Sequence, residues 1–331
     1  MKIAVLGAGA WGTAMAVACA AENEVTLWCR DPRQLALLRA TRENERYLRG
    51  IRLPGSISLT DQIDDAIEGT AIALIAVPMA ALRPTLRRVR ASSNKVGFVW
   101  LCKGFEAGST RLPHQVAAEE LPGDRRCAAL SGPSFADEVA RGLPSAVTLA
   151  SFDGEFAASA ARQLHTGRLR IYSSEDLIGV EVGGAVKNVI AIAAGICDGL
   201  RLGHSARAAL ITRGLTEVTR LGLRVGGRIE TFMGLSGVGD LTLTCTSDLS
   251  RNRRIGLALA SGKPLPQALS ELGHVAEGVH TAREVRRMAD DLGIEMPITR
   301  AVAQVLEGVI EPKAAVEDLL QREPKAEGVG L

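Results

Sequence analysis

The order of apolar and polar positions divides the chain into two halves of different character. In the first half, short apolar runs alternate with polar, helix-forming segments, which is typical of a parallel sheet whose strands are joined by helices. The strands predicted in this way cover residues 3–6, 24–29, 57–59, 71–77, 96–102, 128–130, 146–150 and 169–172. Between the second and third runs, the amphipathic pattern of residues 32–48 predicts one helix. This half therefore predicts a doubly wound α/β sheet.

The pattern changes near Ser173. Ser173 and Asp176 have the spacing of an N-terminal capping box, and residues 177–196 are apolar on nearly every side, so we expect a buried helix there. The remainder is helical in pattern, over residues 206–222, 255–260, 266–272, 281–292 and 301–306, with no convincing strand. We therefore expect an α/β domain over residues 1–174 and an all-α domain over residues 175–331.

A glycine motif follows the first strand. Gly7, Gly9 and Gly12 have G-x-G-x-x-G spacing and precede an Ala-rich helical run over residues 14–21. In such a unit the first glycine permits a tight turn, the second lets the backbone approach a pyrophosphate, and the third lets the helix lie close to the strand. The N–H groups at the helix start can then face the phosphates. The motif predicts a dinucleotide site; a turn without a ligand and an export signal are the alternatives.

The second strand ends at Arg30 and Asp31, where this fold places the adenosine ribose. An aspartate there accepts hydrogen bonds from a 2′-hydroxyl, whereas an arginine binds a 2′-phosphate. Because Arg30 comes first, the sequence favours NADP and leaves NAD open.

Two further segments follow strands, where doubly wound sheets place ligand-binding groups. Lys103 comes directly after the strand at residues 96–102 and can bind an anion. Residues 131–136, Ser-Gly-Pro-Ser-Phe-Ala, form a turn-rich segment that can expose backbone N–H groups to an anion or a cofactor. Both are candidate binding segments.

A lysine lies in the apolar helix of the second half. Lys187 follows Gly183 and Gly184 by four and three residues, so all three share one helix face. The glycines predict room for a ligand beside the amine, and burial lowers the pKa of a lysine towards a range useful for acid–base catalysis. The alternative is a lysine that extends its amine to solvent.

Two loops of the second half carry polar groups. Residues 234–240 are rich in glycine and end on the carboxylate of Asp240, which predicts a flexible loop. Residues 250–254, Ser-Arg-Asn-Arg-Arg, concentrate phosphate-binding groups before a helix. A solvated helix face is the alternative for these arginines.

Composition limits the possible partners. The net charge is +2 and aromatic residues make up 3% of the 331 residues, which gives no reason to expect nucleic acid or acidic membranes as partners. The apolar run of residues 71–82 is interrupted by Pro78 and is too short to cross a bilayer, so we expect no stable membrane insertion. The six cysteines are scattered, which indicates reduced thiols in the cytoplasm and no metal site.

Taken in order, these segments resemble the bacterial NAD(P)-dependent sn-glycerol-3-phosphate dehydrogenases over the whole chain. The matching stretches are residues 7–13, 103–104, 131–136, 186–189, 239–240, 244–246, 250–254 and 322–325. The resemblance implies an N-terminal Rossmann domain and a C-terminal helical substrate domain. It also implies reversible hydride transfer between glycerol 3-phosphate and dihydroxyacetone phosphate, which supplies the phospholipid backbone.

The resemblance implies roles for single residues as well. Lys187 matches the family's proton acceptor. The cofactor positions, besides the three glycines of the motif, are Ala10, Trp11, Arg30, Lys103, Ala136, Arg251, Val275 and Glu277. The substrate positions are Lys103, Gly132, Ser134, Lys187, Asp240, Ser250, Arg251 and Asn252. One departure is Ala10, where many members have serine, so one hydroxyl contact to a phosphate is missing.

Two alternatives from other classes stay open. A ketopantoate-reductase-like or other β-hydroxyacid dehydrogenase has a similar plan, but the arginines of residues 250–254 favour a phosphorylated substrate. An NAD(P)H-sensing regulator would leave Lys187 without a role. We expect a cytoplasmic enzyme that acts on a small phosphorylated substrate with NADP or NAD and without a metal. The sequence leaves the assembly open, with a homodimer as one alternative.

Overall fold

The structure, a computed structural model, describes residues 1–91, 96–121, 123, 126–273 and 276–323. The chain divides into two compact units. The first, which we call the α/β unit, comprises Met1–Cys102 and Pro113–Leu177, and the second, the helical unit, comprises Lys103–Leu112 and Ile178–Leu331. The sequence pattern did not predict that residues 103–112 belong to the helical unit. The predicted domain boundary between residues 174 and 175 stays a prediction.

The α/β unit alternates strands and helices. Its strands are β1 Lys2–Leu6, β2 Glu24–Trp28, β3 Glu43–Asn44, β4 Leu48–Arg52, β5 Ser58–Thr60, β6 Ile72–Ile75, β7 Gly97–Trp100, β8 Cys127–Ser131, β9 Ser145–Ala150 and β10 Leu169–Ser174. Its helices are α1 Ala10–Cys19, α2 Pro32–Thr41, α3 Ile63–Ile67, α4 Met79–Val89, α5 Pro113–Glu120, α6 Ala136–Ala140 and α7 Gly154–Leu164.

Eight of these strands form one sheet in the order β10-β9-β8-β7-β6-β1-β2-β5. Neighbouring strands are parallel except for β8 and β9. Every residue of β6 and β7 is buried, as is typical of a parallel sheet covered on both faces. The strand order reverses between β1 and β6, so the glycine motif after β1 lies at the switch point, where such sheets bind ligands. The predicted doubly wound α/β sheet is confirmed.

The helix predicted over residues 32–48 is wrong in its second half. α2 ends at Thr41, because Arg42 adopts a left-handed conformation with φ +54°. The chain then forms an antiparallel hairpin of β3 and β4. Leu48 and Ile51 have the spacing of helical core positions, but the hairpin buries both of them instead.

In its described part, the helical unit is built from helices without strands. They are α8 Leu177–Gly199, α9 His204–Arg224, α10 Ile229–Met233, α11 Asp240–Thr246, α12 Arg251–Ala260, α13 Leu265–Leu272, α14 Glu277–Leu292, α15 Pro297–Leu306 and α16 Pro312–Leu320. A short π-helical turn, Leu235–Gly239, connects α10 to α11 and is kinked at Gly237, whose φ of −103° and ψ of −105° are not helical. All predicted helices of this half are present, whereas α10, α11 and α16 were not predicted.

The central helix α8 begins at Leu177, directly after β10. The predicted capping box at Ser173 is wrong, because β10 continues through Ser174 and it is Ser174 Oγ that accepts the N–H of Asp176 at 3.1 Å. By length and composition α8 resembles a membrane span, yet 94% of its most apolar stretch is buried inside the protein. Its apolar composition is therefore explained by its place in the core of the helical unit.

Candidate functional site

The glycine motif forms a compact turn between β1 and α1. Gly7 has φ +124°, and a Cβ there would lie 2.5 Å from the carbonyl oxygen of Ala76. A Cβ on Gly12 would lie 1.8 Å from the carbonyl oxygen of Gly7, so only glycine lets the helix start this close to the strand. Gly9 differs, because a Cβ there would meet no atom within 4 Å, and no side chain caps α1. The first N–H groups of α1, at Ala10 and Trp11, are therefore available to an anion.

Two polar side chains that the sequence analysis missed support this turn. Asn44 Nδ2 donates to the carbonyl of Ala8 at 3.0 Å and to Thr13 Oγ1 at 2.7 Å. Gln34 Nε2 donates to the same carbonyl of Ala8 at 2.8 Å. Asn44 belongs to β3, in the segment that was predicted as helix, so its position on the turn could not be inferred. The hairpin thus fixes the loop that follows β1.

At the end of β2 the two charged residues have separate roles. The Asp31 carboxylate accepts the N–H of Arg33 at 2.9 Å and caps α2, with Pro32 at the first helical position. Arg30 is exposed and forms no hydrogen bond or ion pair with the described residues. Since Asp31 is used as a helix cap, Arg30 is the better candidate for a ribose 2′-phosphate.

We therefore expect Arg30→Ala to weaken NADPH binding more than NADH binding, by about 1–3 kcal/mol for a lost charge-assisted contact. Fluorescence titration with both nucleotides measures the difference. Arg162→Ala, at an exposed position of α7, removes the same charge and should change both affinities equally little. Equal losses for NADPH and NADH in Arg30→Ala would show that Arg30 does not recognise the 2′-phosphate.

The second candidate loop of the α/β unit joins β8 to α6. Gly132 has φ +150°, and a Cβ there would lie 2.8 Å from the Cα of Val147. The Ser134 hydroxyl donates to the carbonyl of Gly132 at 3.0 Å, and Ala136 is the first residue of α6. These contacts give the loop a defined shape, whereas a ligand role for Gly132, Ser134 and Ala136 stays a prediction.

The helical unit brings Lys103, Lys187 and Asp240 into one cluster. One carboxylate oxygen of Asp240 accepts a hydrogen bond from Lys187 Nζ, and the other accepts from Lys103 Nζ at 2.7 Å. Asp240 is 1% exposed and Lys187 7% exposed, so these two groups are buried, and the partly buried amine of Lys103 completes the cluster. Burying such charges is costly unless they are paired, and the pairing here is direct.

The backbone around Asp240 differs from the prediction. Residues 235–239 form a π-helical turn in which Ser236 and Gly237 are buried, so the predicted flexible loop is wrong. Asp240 is the first residue of α11. One turn later, the Thr244 hydroxyl accepts from Lys187 Nζ at 2.9 Å and donates to the Asp240 carbonyl at 2.6 Å. A protonated lysine has three N–H donors, and Asp240 and Thr244 take two of them.

The predicted space beside Gly183 is also wrong. A Cβ on Gly183 would lie 2.4 Å from the carbonyl oxygen of Ser236, so the missing side chain lets α8 pack against the π-helical turn. Gly184 is buried, and its carbonyl accepts a hydrogen bond from Asn188 Nδ2 at 3.4 Å. The glycine at position 183 thus positions Asp240's turn against α8 rather than leaving a ligand cavity.

Burial and the neighbouring charges shift both acid–base groups. The pKa of Lys187 is lowered to about 7, chiefly by burial; the charge of Asp240 opposes this effect, and the charge of Lys103 adds to it. Burial alone would raise the pKa of Asp240, but the charges of Lys103 and Lys187 outweigh it and keep this pKa below its usual value. Lys187 can therefore gain or lose a proton near neutral pH while Asp240 stays ionised.

The arginine-rich segment starts α12. Ser250 caps this helix by accepting the N–H of Arg253 at 3.2 Å. Arg253 is buried and pairs with Asp198 at 2.7 Å and with Asp248 at 2.5 Å, so it stabilises the fold. Arg251 is exposed and forms no side-chain hydrogen bond or salt bridge among the described residues, although the charge of Glu277 acts on it. Of these two arginines, Arg251 is the one available to a ligand.

Asn252 links α12 to the neighbours of Lys187. Its Nδ2 donates to Asn188 Oδ1 at 2.9 Å, and its Oδ1 accepts the N–H of Gly278 at 3.0 Å. Asn188 follows Lys187 in α8, so the start of α12 is hydrogen-bonded to the residue next to Lys187. Glu277 is the first residue of α14, next to Gly278. Val275 lies outside the described residues.

Among the described residues no group of histidine, cysteine, aspartate or glutamate side chains could hold a metal ion. None of the six cysteines forms a disulfide. A glycine turn shaped for a dinucleotide, followed along the chain by a helical unit with a buried acid–base lysine, is the organisation of nicotinamide-dependent dehydrogenases.

Comparison with known proteins identifies the family within this class of dehydrogenases. The family described as NAD-dependent glycerol-3-phosphate dehydrogenase N-terminus matches residues 2–157, and the corresponding C-terminus family matches residues 176–317. A glycerol-3-phosphate dehydrogenase (NAD(P)+) from Nitrosospira multiformis is 60% identical over 331 residues, which cover 99% of each chain. The chain therefore belongs to the NAD-dependent glycerol-3-phosphate dehydrogenase family.

Solved structures are consistent with this assignment. The crystal structure of glycerol-3-phosphate dehydrogenase from Coxiella burnetii is 44% identical, with a TM-score of 0.93 over 97% of this chain and 99% of that chain. A ketopantoate reductase from Ralstonia eutropha is 16% identical with a TM-score of 0.61 over 96% of this chain and 100% of that chain, and shares the fold alone. Ketopantoate reductases are thus only distantly similar to this chain.

Proposed function

We propose that this chain interconverts sn-glycerol 3-phosphate and dihydroxyacetone phosphate with NADP or NAD, and so supplies glycerol 3-phosphate for phospholipid synthesis. The observation that carries the proposal is the buried cluster of Lys187, Asp240 and Lys103. The name of the Nitrosospira multiformis relative supports the choice of substrate.

The α/β unit supplies residues that fit the cofactor. The open position at Gly9 and the uncapped start of α1 suit a pyrophosphate, and exposed Arg30 suits the ribose end. When bound, the nicotinamide supplies or accepts the hydride. The remaining cofactor positions, Lys103, Ala136, Arg251, Val275 and Glu277, are part of the same proposal.

Lys187 moves the proton of the reaction. It donates a proton to the C2 oxygen as the ketone is reduced, and it takes the proton from the hydroxyl in the reverse direction. Asp240 and Thr244 hold the lysine nitrogen in place. The charge of Lys103 stabilises the negative charge that develops on the oxygen.

The substrate phosphate is bound by the start of α12. Arg251 is exposed there, and the helix N-terminus favours an anion. Ser250 and Asn252 shape this start through their hydrogen bonds, and one N–H of the Asn252 amide is left for a ligand after its bond to Asn188. Gly132 and Ser134 of the α/β unit complete the proposed set of substrate residues.

A substrate panel tests the proposal. The purified protein should reduce dihydroxyacetone phosphate with NADPH or NADH far faster than it reduces unphosphorylated dihydroxyacetone or ketopantoate. Preference for ketopantoate would support a β-hydroxyacid dehydrogenase, and tight NAD(P)H binding without turnover of any ketone would support a sensing regulator. Either result would contradict the proposed activity.

The cellular setting is proposed on the same basis. We propose two functional domains over residues 1–174 and 175–331, and a cytoplasmic enzyme without membrane insertion. A homodimer is the assembly to test first, by light scattering of the purified protein.

A further inference from the structure

The segment that carries Lys103 belongs to the helical unit. Residues 103–112 leave the α/β unit after β7 and return to it at α5, and we call them the Lys103 strap. Phe105 and Leu112 are each 3% exposed and lie in the hydrophobic core of the helical unit. The strap is thus attached to the same body as Asp240 and Lys187.

Between these two anchors the strap closes on itself. The N–H of Glu106 donates to the carbonyl of Arg111 at 2.9 Å, and the Ser109 hydroxyl donates to Glu106 Oε2 at 2.7 Å. Gly108 lies at the tip with φ +80°, and its own N–H and carbonyl face away from this turn. The tip therefore offers one donor and one acceptor to another element.

Two residues of α14 bind both of these groups. Glu284 Oε1 accepts the N–H of Gly108 at 3.0 Å, and Arg287 donates to the carbonyl of Gly108 at 3.1 Å. Glu284 and Arg287 are three residues apart, on one face of the helix. Together they bind the N–H and the carbonyl of one residue, Gly108, and so contact the two peptide units on either side of its Cα.

Burying the Glu284 side chain costs free energy, which its contact with the strap partly offsets. Glu284 is 6% exposed, and its second oxygen, Oε2, is buried with no hydrogen-bond partner in the described part of the chain. A buried carboxylate is normally satisfied by several donors. The hydrogen bond to Gly108 is the compensation that the structure shows for burying this group.

We propose that Glu284, assisted by Arg287, is a positioning residue that holds Lys103 on Asp240 through the tip of the Lys103 strap. This proposal rests on the proposed function for its kinetic readout. Gly104, next to Lys103, supports it because a Cβ there would lie 3.1 Å from Thr281 Oγ1, so the strap also packs against α14 one turn before Glu284.

The first test needs no turnover. In Glu284→Ala the Gly108 N–H of the strap loses its hydrogen-bond acceptor. Lys103 should then be acetylated several-fold faster by a short pulse of acetic anhydride, as measured by peptide mass spectrometry. Glu284→Gln keeps the accepting oxygen and the volume, so it should restore the slow rate. Arg286→Ala, which removes an ion pair with Glu307 elsewhere on α14, should leave Lys103 acetylation unchanged.

The second test uses the influence of Lys103 on Lys187. Because the Lys103 charge lowers the pKa of Lys187, displacement of Lys103 should move the pH break of kcat/KM upwards. Dihydroxyacetone phosphate turnover should fall about tenfold. Lys103→Met should shift the break in the same direction, and adding Glu284→Ala to it should cause no further shift. A role in stability alone would lower the melting temperature without moving the break.

Two outcomes overturn the proposal. The first is an unchanged rate of Lys103 acetylation in folded Glu284→Ala or, if that variant does not fold, in Arg287→Ala, whose side chain is exposed. The second is an additive pH shift in the double variant with Lys103→Met. Failure of the wild type to reduce dihydroxyacetone phosphate would instead contradict the proposed function, while the acetylation rates would still decide the role of Glu284.

Discussion

Replacing Lys187 by methionine is expected to lower kcat for dihydroxyacetone phosphate reduction by about 10²–10⁴-fold, the usual contribution of a positioned acid–base group. Methionine keeps the length of the side chain but cannot exchange a proton. We expect no other residue of the proposed site to replace this proton donor, because Asp240 stays ionised and Lys103 is hydrogen-bonded to the second carboxylate oxygen of Asp240. Stopped-flow oxidation of NADPH under saturating substrate measures this loss.

The fold and the cofactor site should survive in this variant. Asp240 keeps its contact with Lys103 at 2.7 Å, so its charge is not left unpaired. NADPH should therefore bind with wild-type affinity, since the glycine turn belongs to the other unit. Lys187→Arg keeps a cation without a usable proton and should be nearly as inactive. Wild-type turnover in a folded Lys187→Met protein would assign the proton to another group, with Lys103 the first to examine.

Replacing Arg251 by alanine is expected to raise KM for dihydroxyacetone phosphate by about 10–100-fold, as for the loss of a charge-assisted contact to a phosphate. The melting temperature should hardly change, because Arg251 is exposed and forms no salt bridge among the described residues, with only the charge of Glu277 acting on it. Initial rates over a range of substrate concentrations, with a thermal melt of the same sample, provide both numbers.

Two other arginines serve as controls for this result. Arg213→Ala, at an exposed position of α9, removes the same charge and should leave KM unchanged. Arg253→Ala breaks the largely buried ion pair with Asp198 and the pair with exposed Asp248, so it should lower the melting temperature instead. A selective KM increase in Arg251→Ala therefore distinguishes phosphate binding from a general loss of positive charge. An unchanged KM would place the phosphate elsewhere.

The strands and the buried lysine could be predicted because each depends on local pattern. An apolar run such as Ile72–Ile75 is sufficient for a central strand, and an apolar stretch of twenty residues around Lys187 is sufficient for a core helix. The hairpin after α2 could not be predicted in the same way. Leu48 fits both a helix and a hairpin, and the left-handed turn at Arg42 decided between them.

The partners of Lys187 depend on tertiary structure. Asp240 is 53 residues away in sequence, and only the resemblance to a family brought it into the predicted site. At Gly183 the sequence predicted a ligand cavity that is not there. A glycine can make room for a ligand or for a neighbouring backbone, and here the carbonyl of Ser236 fills the space. Neither the strap contact of Glu284 nor the support of the glycine turn by Asn44 has a local signal in the sequence.

The pH dependence of kcat/KM in both directions tests the role of Lys187 most directly. Reduction consumes one proton, so the ratio of kcat/KM for reduction to kcat/KM for oxidation must fall tenfold for each rise of one pH unit. The pKa of the catalytic group determines which of the two profiles changes with pH in a given range. With the pKa of Lys187 lowered to about 7, reduction should be flat below that pH and fall above it, whereas oxidation should rise up to that pH and then become flat. Profiles without a shared break between about pH 6 and 9, or a break that persists in Lys187→Met, would contradict proton transfer by Lys187.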